Sequence, residues 1–380
     1  MNSLENYKAL LERYFGNSTA TFDAASGATN KVIGALNHTN FSSFHSTFLS
    51  RLKRLATRYS SANPNNRNLL QTLNEIATEK NWEGAYAEIV ALDFLNSEQD
   101  WLSTPIQISK TVPASATLAG GFGSQNVNFD GYYDDFDVSF DIKILADKSR
   151  DILDGIMTEA RTSLGIPNVV ISPEYPLDLG FESFQQNRRK LLNELVQSID
   201  VTARTSLVSS VIVPELKFRL MWQAGVLGTV GTYDPYQHAE NQHTLLFKHA
   251  KKFSLVGPSL IVFVFFPWFS ENVVTQFESS GTFYRAFCRR FFCQYNKDVT
   301  AANSLLKSFK GSETISQVTD KLSGVLFLED TSIENSNPED QNVKGFAYLN
   351  PNAKHKVSGQ FREYLSSLRF NVDDMAHDNY

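Results

Sequence analysis

The residues whose types and spacing suit them to chemistry lie between Phe129 and Ile144, in the stretch FDGYYDDFDVSFDIKI. In its second half, apolar residues alternate with Ser139, Asp141 and Lys143, which predicts a strand with one apolar face and one charged face. A carboxylate and an ammonium on one face of such a strand are costly to bury unless they pair with each other or with a metal ion. The charged face is therefore a candidate site for metal-dependent chemistry.

A second carboxylate, Asp130, precedes this strand in the extended segment NVNFDGYY. Asp134 and Asp135 join the two segments, which predicts a β-hairpin. Asp130 can then approach Asp141 across the hairpin. Two carboxylates that meet in this way repel each other, and a divalent cation removes the conflict. Both are hard oxygen ligands of the type that Mg²⁺ prefers.

Asp130, ten intervening residues and then Asp141-Ile142-Lys143 together resemble the signature of the PD-(D/E)XK, restriction-endonuclease-like nuclease superfamily. Phe129 stands here in place of the nominal proline. The resemblance implies that Asp130 and Asp141 bind Mg²⁺, or Mn²⁺ in its place. It also implies that Lys143 positions or activates the attacking water and helps to stabilise the charge that develops on the phosphate.

The same resemblance implies a glutamate on a helix that precedes the hairpin. The apolar segment WEGAYAEIVALDFL, residues 82–95, predicts this helix and holds two candidates, Glu83 and Glu88. Glu88 shares a face with Gly84 and Leu95, and we expect this face to point inward and to bring Glu88 to the metal. Glu83 lies on a different apolar face, so the choice between the two glutamates stays open at this stage.

A rival centre is present further along the chain. Glu215 and Lys217 form a second E-x-K pattern on one face of a strand-like segment, VIVPELKFRL. This pattern lacks an upstream hairpin that carries an Asp, and Pro214 indicates an edge strand or a bulge. A structural salt bridge is the alternative interpretation of this pair.

The order of the predicted elements indicates an α/β (mixed α+β) fold, with a restriction-endonuclease-like core in which helices flank a central mixed sheet. Residues 1–80 are predicted as a helical N-terminal region. Residues 81–350 form the nuclease core, with a helical insertion at about 147–206. Residues 351–380 are predicted as a C-terminal tail.

Three segments after the insertion are assigned as follows. VSSVIVPELKFRLMW is expected to return the chain to the central sheet, and PSLIVFVFFPWF is predicted as a buried strand. Between them, a helix that begins near an Asp and a Pro is expected to carry Tyr236, His238, Gln242 and His243. These side chains could contact phosphate or water, although such residues are more often surface or core polar groups.

The overall charge restricts how nucleic acid could bind. The formal net charge is −6 and the pI is about 5.7, so DNA, or RNA, must be held by metal ions or by local basic patches. Four basic clusters are candidates for contacts with phosphate: residues 51–54, 188–190, 248–252 and 285–290.

Cysteine content and hydropathy bear on the compartment. The chain has 2 cysteines, Cys288 and Cys293, and their spacing on a predicted helix points them in different directions. This indicates thiols in a reducing, cytoplasmic environment. The most apolar run is too short to span a bilayer as a helix, so we expect no membrane partner.

The first functional hypothesis is a Mg²⁺-dependent endonuclease that hydrolyses phosphodiester bonds of DNA, in restriction or anti-phage defence. The second is a non-catalytic nucleic-acid-binding or assembly subunit that retains a nuclease fold. A third is a nuclease effector controlled by a partner such as an ATPase or a sensor. A homo-oligomer is compatible with each of them, and metal-dependent cleavage separates the first hypothesis from the second.

Overall fold

A computed structural model of the chain describes residues 3–20, 30–38, 40–78, 81–145, 148–175, 181–222, 235–236, 239, 242, 244–267, 280–332 and 342–375. The chain divides into two compact units. The first unit comprises Met1–Leu145, His243–Phe269 and Tyr284–Tyr380, and the second comprises Ala146–Gln242 and Ser270–Phe283.

The strands and helices of the described residues are as follows. In chain order the strands are β1 (Gln107–Pro113), β2 (Asn126–Tyr133), β3 (Val138–Ile144), β4 (Val170–Glu174), β5 (Leu207–Ser209), β6 (Lys217–Met221), β7 (Ser259–Phe265), β8 (Gly324–Asp330), β9 (Val343–Leu349) and β10 (Asn371–Asp373). The helices are α1 (Ser3–Phe15), α2 (Lys31–Asn37), α3 (Ser42–Arg58), α4 (Asn66–Glu75), α5 (Trp82–Leu95), α6 (Lys148–Leu164), α7 (Phe181–Ser198), α8 (Ser280–Arg289), α9 (Ile315–Thr319) and α10 (Gly359–Ser367). The shorter helical segments include a 3₁₀ helix at Leu246–Lys252 and a π-helical turn at Arg290–Gln294.

The first unit is built on a seven-stranded mixed sheet in the order β1-β2-β3-β7-β8-β9-β10. The strands β1, β2 and β3 form an antiparallel meander, and β3 then pairs in parallel with β7, as β7 does with β8. Every residue of β7 is buried. A strand in a parallel sheet that is covered on both faces has a continuous run of apolar residues. The segment PSLIVFVFFPWF has such a run and therefore predicts β7. The mixed α/β fold, the hairpin and this strand are confirmed.

Helices from the N-terminal part of the chain share one apolar core with the sheet. Phe44, Phe48 and Leu73 belong to the same cluster of buried residues as Val262 of β7 and Phe140 of β3. Helix α5 contacts α3 and α4 as well as β3 and β7. The described part of residues 1–80 is mainly helical, and its helices pack against the layer that carries the sheet.

The C-terminal segment differs from the tail expected at residues 351–380. Helix α10 buries Phe361, Tyr364 and Leu365, and β10 pairs in parallel with β9. The tail interpretation is therefore wrong for this stretch. Short elements of this length carry too little periodicity to be recognised, and contacts with distant residues stabilise them. Residues 376–380 lie outside the described residues.

The second unit contains α6, α7 and a three-stranded sheet in the order β4-β6-β5. The segment expected to return to the central sheet supplies β5 and β6 here, so that expectation is wrong. Alternation along a strand indicates which residues are buried and does not indicate which sheet the strand joins. Phe218 and Leu220 of β6 share an apolar cluster with Leu191 and Leu195 of α7. The region predicted as a helical insertion is thus a mixed α+β unit that continues beyond residue 206.

Two further expectations concern the compartment. Over the described part of the chain, no helix has both the length and the apolar character needed to cross a membrane. Cys288 and Cys293 are both buried and form no disulfide with each other.

Candidate functional site

The β2–β3 hairpin positions two carboxylates opposite each other. Gly131 pairs with Phe140 in the antiparallel register, and one further step along this register brings Asp130 opposite Asp141. On its other side, Asp141 is in register with Ile261 of β7. Asp141 therefore lies between two neighbouring strands inside the sheet, and it is completely buried.

Gly131 makes this close approach of the strands sterically feasible. A Cβ atom at this position would lie 2.0 Å from Cζ of Phe140. The Phe140 ring, itself fully buried, thus occupies the space that a side chain at 131 would need. The glycine that follows Asp130 is required by packing against the strand that carries Asp141.

Two ammonium groups neutralise Asp141. Lys143 Nζ lies 2.6 Å from Asp141 Oδ2, and Lys252 Nζ lies 2.7 Å from Asp141 Oδ1. Burial opposes ionisation of this carboxyl, yet the charges of Lys143 and Lys252 hold its pKa below the usual value. The predicted charged face is thus not solvated at Asp141, because β7 and the flanking elements cover both sides of β3.

Asp130 has a different environment although it is the neighbour of Asp141. The backbone N–H of Ile142 donates to Asp130 Oδ2 at 2.7 Å, and Lys143 Nζ lies 3.4 Å from the same oxygen. Burial and then the negative charge of Asp141 raise the pKa of Asp130 to about 6. The pair therefore holds a proton more readily than two isolated carboxyls would.

Lys143 connects the two acids. Its ammonium contacts Asp141 and Asp130 and donates to the backbone carbonyl of Ile142 at 2.8 Å. Burial lowers the pKa of Lys143, but Asp141 and Asp130 outweigh burial and leave it above the ordinary value. Lys143 is therefore a positive charge at neutral pH and not a free base.

Glu88 of α5 lies in the electrostatic environment of the same site. Thr72 Oγ1 donates to Glu88 Oε2 at 3.1 Å. Burial and then the charge of Asp130 raise the pKa of Glu88 to about 7, while Lys143 acts in the opposite direction. Glu83, the other candidate, is exposed in the first turn of the helix. The structure thus brings Glu88 toward Asp130 and Lys143 and leaves Glu83 at the surface.

The facial reasoning that favoured Glu88 is nevertheless wrong in one respect. Gly84, which shares the face of Glu88, is exposed, and a Cβ added there would meet nothing within 4 Å. Helix α5 is enclosed on nearly every side, because it contacts β3 and β7 as well as two other helices. Facial periodicity carries little information for a helix that is apolar all round.

Two residues of the site were not identified from the sequence as site residues. Lys252 entered only as one member of a basic cluster, and His249 was not considered. Both belong to the 3₁₀ helix that precedes β7. Burial and then the positive charge of Lys143 lower the pKa of His249 to about 4, so it is a neutral imidazole at neutral pH. The position of this segment in the chain was the available signal. A segment that leads into the strand next to β3 lies near the residues of β3.

The rival pattern lies elsewhere. Glu215 and Lys217 are both exposed, and Lys217 belongs to β6 in the second unit. Of the residues expected on the helix after this strand, Tyr236 is exposed. His238 and His243 lie outside the described residues.

The donor set was compared with the needs of a metal ion. Among the residues that the structure describes, no group of three or more His, Cys, Asp or Glu side chains is arranged to hold one. Asp130 and Asp141 do supply adjacent hard oxygen donors; burial and then the charge of Asp141 raise the pKa of Asp130, and a cation would relieve the repulsion between the two. Lys143 and Lys252 now supply the positive charge that these acids require. The chemistry of the donors therefore fits Mg²⁺. Glu88 interacts electrostatically with Asp130 but does not complete a preformed three-ligand cluster.

The site thus consists of a buried carboxylate, Asp141, with the half-buried Asp130 opposite it, two lysines in contact with Asp141 and a glutamate with a raised pKa. Any assignment of chemistry rests on these side chains themselves. Comparisons with protein-family models, with curated protein sequences and with solved structures find no match for this chain.

Proposed function

We propose that this protein is a Mg²⁺-dependent nuclease of the PD-(D/E)XK type that hydrolyses phosphodiester bonds of DNA. One observation carries the proposal. Asp141 is completely buried in the central sheet, lies opposite Asp130 in the register of the β2–β3 hairpin and is in contact with the ammonium of Lys143. Burying an acid next to a second, half-buried acid has an energetic cost that a purely structural strand would avoid, and such costs are typical of functional sites.

The order and pairing of the elements support the proposal. Helix α5 is followed by the antiparallel meander β1-β2-β3 and then by β7, which pairs in parallel with β3. The resemblance implies a glutamate helix, a hairpin that carries both acids and the lysine, and a buried strand, in this sequence. A 3₁₀ helix stands directly before the buried strand, in the position for which a longer helix was expected.

Each side chain has a role that its environment permits. Asp130 and Asp141 would hold the ion, which would supply positive charge at the phosphate and make an attacking water more acidic. Lys143 is protonated, so its role is to orient the water and stabilise negative charge, not to remove a proton. Glu88, with a pKa of about 7, is suited to accept a proton near neutral pH.

A second candidate function rests on the neutralisation of Asp141. Each of its oxygens lies within 2.7 Å of a lysine ammonium, as in an ion cluster that is complete without metal. A non-catalytic nucleic-acid-binding or assembly subunit could retain such a cluster for stability. This alternative predicts that divalent cations change neither the stability nor the activity of the protein.

Incubation of the pure protein with plasmid, linear DNA and RNA, with and without Mg²⁺ or Mn²⁺, tests the proposal. Metal-dependent cleavage is expected, and Asp141→Asn and Lys143→Ala should each lower the rate by about 100-fold or more. Lys217→Ala at the exposed rival pattern is the matched control and should retain full activity. Absence of cleavage with every substrate and metal, or equal activity of all variants, would overturn the nuclease assignment.

A further inference from the structure

Lys252 holds an unusual position for a residue of a metal-dependent site. Its ammonium lies 2.7 Å from Asp141 Oδ1 and donates to the backbone carbonyl of Asn128. A divalent cation bound by Asp141 would need one of the carboxylate oxygens at a distance of about 2.1 Å. The Lys252 ammonium occupies the space beside Oδ1 that such an ion would take.

Charge makes simultaneous occupancy unfavourable. The two acids Asp130 and Asp141 face the two lysines Lys143 and Lys252, so the four groups already balance when all are ionised. A divalent cation would add two positive charges within a few ångströms of two ammonium groups, in a buried region where such repulsion is poorly screened. One lysine must therefore leave Asp141 when the ion binds.

Of the two lysines, Lys252 is the one whose other contacts allow it to leave Asp141. Lys143 retains the carbonyl of Ile142 at 2.8 Å and the carboxylate of Asp130 at 3.4 Å. Among the described residues, the other contacts of Lys252 are with the carbonyl of Asn128 and, at 5.8 Å from its centre, the Phe129 ring. Its side chain is 24% exposed, so it has a route to solvent.

We infer that Lys252 neutralises Asp141 in the metal-free protein and, once a divalent cation takes its place, turns to bind a phosphate oxygen of the nucleic acid at the site. A lysine ammonium is a compact charge on a flexible stem, which suits both positions. The exposed Lys248 and Lys251 lie on the same 3₁₀ helix. This inference rests on the proposed nuclease function and adds a coupling between metal binding and binding of the phosphate backbone.

The coupling predicts opposite effects of a single substitution. Lys252→Gln removes a competitor of the cation, so the dissociation constant for Mg²⁺, measured by isothermal titration calorimetry, should fall about 3- to 10-fold. The same variant should bind a fluorescein-labelled DNA duplex about 5- to 10-fold more weakly in Ca²⁺, with a gel to check that the duplex stays intact. The slope of log K against log salt should become shallower by about 1.

Lys251→Gln is the matched control for metal binding, because it removes the same charge from the neighbouring residue. Its ammonium lies 5.5 Å from the centre of the Phe122 ring, and we expect its Mg²⁺ affinity to stay within about twofold of wild type. If Lys252→Gln folds poorly without metal, Mg²⁺ should restore its thermal unfolding midpoint to near that of wild type.

Three outcomes would overturn the inference. These are weaker or unchanged Mg²⁺ binding by Lys252→Gln, unchanged DNA affinity, and failure of Mg²⁺ to restore a destabilised variant. Each is distinguishable from failure of the nuclease proposal, in which the wild-type protein itself binds no divalent cation and cleaves no substrate.

Discussion

Two ionic clusters in the first unit involve the same helix, α5, and their buried carboxylates are neutralised in different ways. One is centred on Asp93, whose carboxylate accepts from Arg54 at 2.8 and 2.6 Å and from Arg51 at 3.3 Å. Arg51 is completely buried, donates to the Tyr86 hydroxyl at 2.8 Å and lies 3.6 Å from Asp330. We call these five residues the arginine cluster.

The candidate site is the other cluster, and its composition differs. The arginine cluster uses rigid, planar guanidinium donors, and Arg54 donates two hydrogen bonds to the carboxylate of Asp93. The site has flexible lysines instead, and Glu88, whose pKa is raised by burial and then by the charge of Asp130, adds a third carboxyl group to its two lysines. Burial raises the pKa of Glu88 to about 7 and that of Asp130 to about 6. Rigid arginines paired with an equal number of carboxylates suit a structural role. An excess of carboxyl groups over exchangeable lysines suits a site that binds a ligand.

The largest expected difference between the clusters is in stability. Arg51→Met leaves Asp330 without its guanidinium partner in the core and should lower the free energy of unfolding by about 3–5 kcal/mol. Lys143→Met leaves Asp141 paired with Lys252 and should lower it by less than about 1.5 kcal/mol. Urea unfolding of both variants in the absence of metal measures this. Equal losses would mean that the site is also a structural ion cluster.

Metal binding should separate the clusters next. Saturating Mg²⁺ should stabilise wild type by about 2.7 kcal/mol at 100 times its dissociation constant, and Asp130→Asn should remove most of that gain. The metal-free variant should be as stable as wild type or slightly more so, because the substitution relieves repulsion between Asp130 and Asp141. Thermal melting with and without Mg²⁺ measures both quantities. A much less stable metal-free variant, together with a wild type that ignores Mg²⁺, would make Asp130 a structural carboxylate.

The smallest expected effect concerns pH. Glu88 has a folded pKa of about 7 against an ordinary value of 4.5, so the folded protein binds its proton more tightly than the unfolded chain does. That contribution to stability is present at low pH and is lost as the pH rises through about 7. The free energy of unfolding of the metal-free protein should therefore fall between about pH 5 and pH 7 from this group.

Glu88→Gln should make this part of the pH profile flatter, and Glu83→Gln, on the exposed part of the same helix, is its matched control. Chemical denaturation at several pH values provides the measurement. A profile that becomes flatter in Glu83→Gln and not in Glu88→Gln would mean that the raised pKa belongs to Glu83 and not to Glu88.

Local pattern in the sequence was sufficient for several elements. The span of α5 agrees with the apolar segment 82–95, the hairpin follows from alternation on each side of two aspartates, and β7 follows from its continuous apolar run. These features repeat within a few residues, so neighbouring side chains alone specify them. The candidate residues Asp130, Asp141 and Lys143 belong to this local class, because one hairpin carries all three.

Only the tertiary structure decided the rest. Lys252 reaches Asp141 from a segment 111 residues away in sequence, and Arg51 and Asp330 meet across a still longer separation. The pairing of β6 with β4 and β5, and the docking of α10 and β10, also depend on distant partners. The sequence by itself determined the strands β2, β3 and β7 and which acids share a hairpin. Which cation faces each buried carboxylate was decided by packing, because charge compensation depends on distance in space, which local periodicity does not encode.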